Sequence, residues 1–132
     1  MIFGIGTDIV RIARMDASLQ RHGERFAARI LAERERVEFQ QSADAARFLA
    51  KRFAAKEAFG KALGTGVAVP ATLHAIGVDH DALGKPVFSY DDRLADYLAE
   101  RGLSAHLSLS DEAEYVVAFA LIERTATGGG PA

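Results

Sequence analysis

Apolar and polar positions alternate through Met1-Ile2-Phe3-Gly4-Ile5-Gly6-Thr7-Asp8-Ile9-Val10. That two-residue period predicts a strand over 2–9, with Gly4, Gly6 and Asp8 on one face and Phe3, Ile5, Thr7 and Ile9 on the other. Glycine within a strand marks close approach of another group. Helical spacing follows within 11–31 and 33–41, then over a long segment from about 43 to 63, with Ser42 as its expected N-cap. Two strands are expected near 73–79 and 86–90, joined by the turn Asp81-Ala82-Leu83-Gly84-Lys85-Pro86. A helix beginning at Asp91 or Asp92 runs to about Arg101 and is ended by Gly102. Strands near 104–110 and 114–123 then form a hairpin, the first carrying His106, Ser108 and Ser110 on one face and Leu107 and Leu109 on the other.

The long helix has an unusual distribution of charge. On its wheel Phe48, Ala55, Phe59, Ala62 and Leu63 form an apolar face, and Glu57 with Lys61 lies roughly opposite, beside Ala50, Ala54, Gly60 and Gly64. A charged face lined by such small residues predicts that something close-packed or charged approaches it. The mixed order of elements, with the late strands in a hairpin, predicts an α+β fold with a mainly antiparallel sheet and a long central helix. Residues 1–124 form one domain in this reading, and the Gly-rich stretch 125–132 is a mobile tail.

Composition narrows the partners. With 132 residues, 49% of them hydrophobic, the chain can bury a substantial core. A net charge of only −2 argues against a general nucleic-acid binder. The absence of cysteine rules out disulfides and thiolate metal sites. No basic-then-apolar leader opens the chain, and no apolar run approaches the roughly 20 residues of a membrane span, so a cytoplasmic protein without membrane contact is expected. Positive charge is nevertheless local: Arg11, Arg14, Arg21, Arg25, Arg29, Arg34 and Arg36 fall within 11–36, with Glu24, Glu33 and Glu35 available to pair with part of the run.

Three segments in order, GIGTDIVRI near the start, RFAAKEAFGKALGTG in the middle and HLSLSDEAEYVVAFALIE near the end, closely resemble the holo-[acyl-carrier-protein] synthase family over almost the whole chain. The resemblance implies the 4′-phosphopantetheinyl transferase fold, assembled as a homotrimer with sites between subunits. It implies Mg²⁺-dependent transfer of the 4′-phosphopantetheine arm of coenzyme A to a serine of apo acyl carrier protein, for fatty acid synthesis, with release of adenosine 3′,5′-bisphosphate. Asp8 and Glu57 match the carboxylates that would hold Mg²⁺, a cation that takes one or two carboxylates together with substrate phosphates and waters. Lys61, one helical turn beyond Glu57, would meet a phosphate, and Gly64-Thr65-Gly66 would bring backbone N–H groups to the ligand. By resemblance Arg52 and His106 hold the 3′-phosphate from opposite sides, Lys56 faces the pantetheine or pairs locally, and Gly84 with Pro86 forms a turn near the adenine. Arg14, Met15, Arg21 and Arg25 lie on the early helix where the family docks its acidic carrier protein.

Several of these residues also have purely structural readings. Gly64 is equally a helix C-cap, Gly-Lys-Pro is a turn without need of a ligand, and the arginine run is a solvated face. The base that takes the serine proton is left open among Glu57, a metal-bound water and Asp111. Members of the family often carry histidine where this chain has Asp111, so that histidine's role does not transfer. A non-catalytic coenzyme A or nucleotide-binding module would keep Lys61, Gly66 and the Gly-Lys-Pro turn without needing Asp8 and Glu57 together. An interaction protein would use the arginine helix alone and be indifferent to Glu57→Gln.

Overall fold

The structure is a computed structural model and describes residues 1–125. In chain order its elements are β1 (Ile2–Arg11), α1 (Ile12–His22), α2 (Glu24–Ile30), a 3₁₀ turn (Glu33–Glu35), α3 (Arg36–Gln40), α4 (Ala45–Leu63), β2 (Ile76–His80), β3 (Pro86–Tyr90), α5 (Asp92–Glu100), β4 (Leu103–Asp111) and β5 (Tyr115–Arg124). Every strand pair is antiparallel: one sheet has the order β1-β5-β4 and a second consists of the β2–β3 hairpin. The α+β architecture with a long central helix follows the expectation from the sequence.

The crossing of β1 over α4 explains the glycines of the first strand. A Cβ on Gly4 would stand 1.9 Å from the Ala62 carbonyl oxygen, and one on Gly6 would stand 2.0 Å from that of Ala58. Backbone therefore meets backbone, which only glycine permits at such range. Ala54, Ala58 and Ala62 of α4 are buried, as are Val116, Ala118, Ala120 and Ile122 on β5. On another side of the same helix Phe59 packs against Phe88 and Tyr90 of the β2–β3 hairpin, with ring centroids 5.0 and 5.6 Å apart. Contact with both sheets leaves α4 buried on nearly every side, so a charge on it is either paired or aimed into a cleft.

The opposite face of the three-stranded sheet carries apolar residues in the open. Phe3, Ile5, Ile9 and Phe119 are 42, 52, 61 and 39% exposed. Register places His106 beside Leu121 and Ile5 in one cross-strand row, and Ser108 beside Phe119 and Thr7 in the next.

Local chemistry moves several boundaries. The first helical region is two helices, because Gly23 adopts φ 61° and its N–H closes α1 on the Leu19 carbonyl at 2.7 Å. The cap of α4 is Asp44 rather than Ser42: the Asp44 carboxylate accepts from Arg47 N at 3.1 Å, while Ser42 Oγ accepts from Asp44 N at 3.2 Å before the helix begins. Strand β2 starts at Ile76 because Thr72 holds a turn, its oxygen atoms accepting from Ala75 N. Thr125, expected in the tail, donates from N to the Gly102 carbonyl at 2.8 Å; the rest of that stretch, 126–132, lies outside the described residues.

Candidate active site

Alternation from Gly4 and Gly6 carries Asp8 onto the inner face of β1, where the strand leaves its crossing with α4. Glu57 and Lys61 lie one turn apart on that helix. Lys61 Nζ donates to the Thr7 carbonyl at 2.8 Å and to Asp8 Oδ1 at 3.2 Å. Glu57 has no hydrogen-bond or ion-pair partner among the described residues, and its carboxyl is pushed above the usual range by burial and then by the charge of Asp8, with Lys61 opposing. Asp8 and Glu57 line a single cleft of about 510 Å³, walled by Arg14 and Met15 of α1, Phe26 and Ile30 of α2, Phe53 of α4 and Leu73. The cleft thus has an acidic end, an apolar floor and a basic rim.

That acidic end suits a hard divalent cation. Two carboxylates repel each other there, and Glu57 retains unsatisfied acceptor oxygens. Among the described residues no group of three or more His, Cys, Asp or Glu side chains converges, so the protein offers no full cage. Two oxygen donors with room for waters and substrate oxygens match Mg²⁺.

Other residues named from the sequence are placed differently. Of the two roles considered for Lys56, local pairing is what the chain shows: it is 0% exposed, and its Nζ donates to Ile30 O at 2.7 Å, Glu35 Oε1 at 2.6 Å and Leu73 O at 2.9 Å. Burial pushes its ammonium down to about 8, with Glu35 opposing. Arg52 is buried as well; its guanidinium binds Glu35 at 3.1 Å and Glu38 at 3.2 Å and stacks 4.3 Å from the Phe48 ring centroid. It borders a second cleft of about 340 Å³ together with Arg47, Lys51 and His80. His106 stands on the outer sheet face, where Nε2 meets Glu123 Oε2 at 2.5 Å. A single chain therefore does not bring Arg52 and His106 together, nor His106 and Asp8, because they occupy different faces of the sheet.

Asp111 ends β4, where Lys51 Nζ lies 2.6 Å from Oδ2 and Arg47 bonds Oδ1. Those cations hold its carboxyl below the usual carboxylate range, which makes it the weaker base of the two carboxylates considered. Gly64, at φ 91°, is the C-cap of α4, its N–H donating to the Gly60 and Lys61 carbonyls. Thr65 Oγ1 donates to the carbonyl of Gly66, which itself has φ 68°. Gly84, at φ 84°, and Pro86 belong to a turn organised by Asp81 Oδ1, which accepts from Leu83 N and Lys85 N at 2.9 Å each. Arg14, Arg21 and Arg25 are exposed, although Gly23 puts Arg25 on α2. Met15 is buried and forms part of the wall of the cleft.

Glu35 is the polar residue whose importance the sequence concealed. It appeared as one acid within an arginine-rich run, yet it is buried and accepts four hydrogen bonds: Lys56 Nζ and Ala32 N on Oε1, Arg52 Nη1 and Val78 N on Oε2. Burial disfavours its charge, but Lys56 and the two backbone donors outweigh that and hold the carboxyl below its ordinary value. The one local signal is its position three residues beyond Ala32, the spacing of a helix-start carboxylate, without the Ser or Thr that completes that pattern.

The sequence matches the 4′-phosphopantetheinyl transferase superfamily over residues 4–120. It is 74% identical over 123 residues to the holo-[acyl-carrier-protein] synthase of Azoarcus sp. (strain BH72), an alignment covering 93% of this chain and 98% of that protein. The crystal structure of holo-[acyl-carrier-protein] synthase from Neisseria meningitidis superposes with a TM-score of 0.90 at 49% identity, over 93% of this chain and 99% of that one. A Bacillus anthracis holo-(acyl-carrier-protein) synthase, solved in complex with CoA (3′,5′-ADP), gives 0.79 at 35% identity over 95% and 99%.

Proposed function

The chain belongs to the holo-[acyl-carrier-protein] synthases of the 4′-phosphopantetheinyl transferase superfamily, and from that premise we propose a Mg²⁺-dependent transfer, at the cleft of Asp8 and Glu57, of the phosphopantetheine arm of coenzyme A to a serine of apo acyl carrier protein. The single observation that carries this reading is the pair of carboxylates Asp8 and Glu57 lining one cleft with apolar and arginine side chains, with the Lys61 ammonium bonded to Asp8. Asp8 and Glu57 would hold Mg²⁺, which when bound would supply charge neutralisation to the pyrophosphate. Lys61, half exposed, is free to exchange Asp8 for a phosphate oxygen. The serine oxygen forms a bond to the β-phosphorus, the bond from that phosphorus to its bridging oxygen breaks, and adenosine 3′,5′-bisphosphate leaves. Asp111, engaged by Arg47 and Lys51 and held below the usual carboxylate range, is the poorer acceptor for the serine proton, which goes to a basic oxygen at the Asp8–Glu57 end of the cleft. The CoA bound to the Bacillus anthracis relative supports coenzyme A as the donor.

Exposed Arg14, Arg21 and Arg25 support docking of an acidic carrier on α1 and α2, where charge matching speeds encounter and sets orientation. A homotrimer with shared sites is part of the proposal. It is supported by the apolar outer face around Ile5, Ile9 and Phe119, and by the separation of His106 from Asp8 within one chain. In such an assembly a neighbour's His106 and the Gly84–Pro86 turn serve the nucleotide end of coenzyme A. Light scattering on the purified protein reads the assembly directly, and a monomeric mass that retains full activity sinks it. No helix among the described residues is long and apolar enough to cross a membrane; a cytoplasmic role in fatty acid synthesis completes the proposal.

The deciding experiment is intact-mass spectrometry of apo acyl carrier protein incubated with this protein, coenzyme A and Mg²⁺, with and without a chelator. The expected result is a gain of one phosphopantetheine that the chelator abolishes. A folded protein that binds coenzyme A and leaves the carrier mass unchanged refutes the transferase reading in favour of a binding module.

A further inference from the structure

Two polar links join α2 to the segment that leads into β2. One is His74 Nε2 with the Ala28 carbonyl at 2.7 Å, near the surface. The other is the buried Lys56 ammonium, whose donors reach Ile30 O at the end of α2, Leu73 O and Glu35. An ammonium has three donors, so Lys56 is saturated and none remains for a substrate. Ile30 and Leu73 are both walls of the reactive cleft, and the next residue on α4 is Glu57, which points into it. Lys56 thus sits behind the wall while its neighbour stands in front. Glu35 completes the arrangement by binding Lys56, Arg52 and the backbone of Ala32 and Val78, tying α4, the 3₁₀ turn and β2 to one carboxylate. A buried charge with a full set of hydrogen-bond partners fixes one geometry, because each lost partner leaves a polar group unsatisfied in a low dielectric.

We propose that Lys56, backed by Glu35, is a positioning residue that clamps the Ile30 and Leu73 walls to α4 and so sets the width of the cleft into which the carrier protein delivers its serine. The proposal rests on the transferase reading. The Lys56 bonds to Ile30 and Leu73 end on walls shared with Arg14 and Met15, so Lys56 acts on the carrier's approach, whereas Glu35 also holds Arg52 and Val78, which line the cleft of Arg47 and Lys51.

Steady-state transfer is measured for wild type, Lys56→Met, Glu35→Gln and Leu94→Ala, varying carrier protein and coenzyme A separately, at a temperature where circular dichroism shows each variant folded. Leu94→Ala removes a fully buried side chain of α5 and serves as a control for lowered stability alone. The expected result is a KM for carrier protein raised about tenfold or more in Lys56→Met, with KM for coenzyme A within about twofold of wild type, and both constants unchanged in Leu94→Ala. Glu35→Gln moves the same KM in the same direction by less, since one acceptor oxygen remains and Lys56 keeps its bonds to Ile30 and Leu73. A folded Lys56→Met with wild-type KM for carrier overturns the proposal; if that variant does not fold, an unchanged KM in Glu35→Gln overturns it. Wild type that fails to modify the carrier overturns the transferase reading itself.

Discussion

Replacing Gly6 by alanine tests whether the contact between β1 and α4 sets the geometry of the site. The added Cβ would stand 2.0 Å from the Ala58 carbonyl oxygen, 2.7 Å from Ala62 N and 2.9 Å from Lys61 Cβ. Two of those atoms are backbone and cannot swing aside. Ordinary contact begins at 3.4 Å, so β1 must retreat from α4 by about 1.4 Å or the helix must yield by as much. Overpacking of this kind costs about 1–3 kcal/mol. Asp8 is two residues further along β1, whereas Glu57 and Lys61 are on α4, so the displacement opens the gap between the carboxylates. A misplacement of about 1 Å reduces catalysis by about a hundredfold. Gly6→Ala is therefore expected to fold with a lower urea midpoint and to lose transfer about a hundredfold, read by timed intact-mass analysis of the carrier at a temperature where the variant is native. A variant that loses stability but keeps wild-type turnover refutes the coupling between crossing and site. One that loses neither refutes the tight crossing.

Asp8→Asn and Glu57→Gln should each remove most transfer with little change in thermal stability, because neither carboxylate supports the core; full activity in both would sink the metal-site assignment. Arg14→Glu should weaken binding of acyl carrier protein, by less at high salt because exposed charges are then screened, and an affinity independent of the substitution would exclude docking at α1. Stability should decline on the acid side through Glu35. Its folded carboxyl holds a proton less readily than the ordinary 4.5, so the unfolded chain protonates first, and stability is lost as pH falls from that value through the depressed folded one. Urea midpoints measured from about pH 6 to about pH 3 should show this slope, flattened in Glu35→Gln, and an equal slope in both would assign the acid sensitivity elsewhere.

The element order was legible because period and punctuation are local properties. Alternation through Phe3, Ile5 and Ile9, helical spacing from Ala45 to Leu63, and glycines at 84 and 102 act within a few residues of themselves, and the strands and helices formed where they pointed. Gly4 and Gly6 signalled the close approach of some group, and the small residues beside Glu57 signalled another; that strand and helix meet each other, at Ala58 and at Ala62, which the wheel had put on the apolar face, came only from the structure. The faces of Asp8, Glu57 and Lys61 follow from strand and helix periods, whereas their grouping as metal and phosphate ligands is what the family resemblance implied. The fate of the remaining charges was decided by the tertiary structure. The resemblance offered Arg52 as a phosphate ligand and Lys56 as a pantetheine contact or a local pair; both are buried on Glu35, which lies 17 and 21 residues away from them in the chain. Asp111 was one of three candidate bases, and folding brings Arg47 and Lys51 to it from 64 and 60 positions earlier. Whether a charged side chain meets water, a ligand or an opposite charge depends on which distant element packs over it, and no pattern within its own element carries that information.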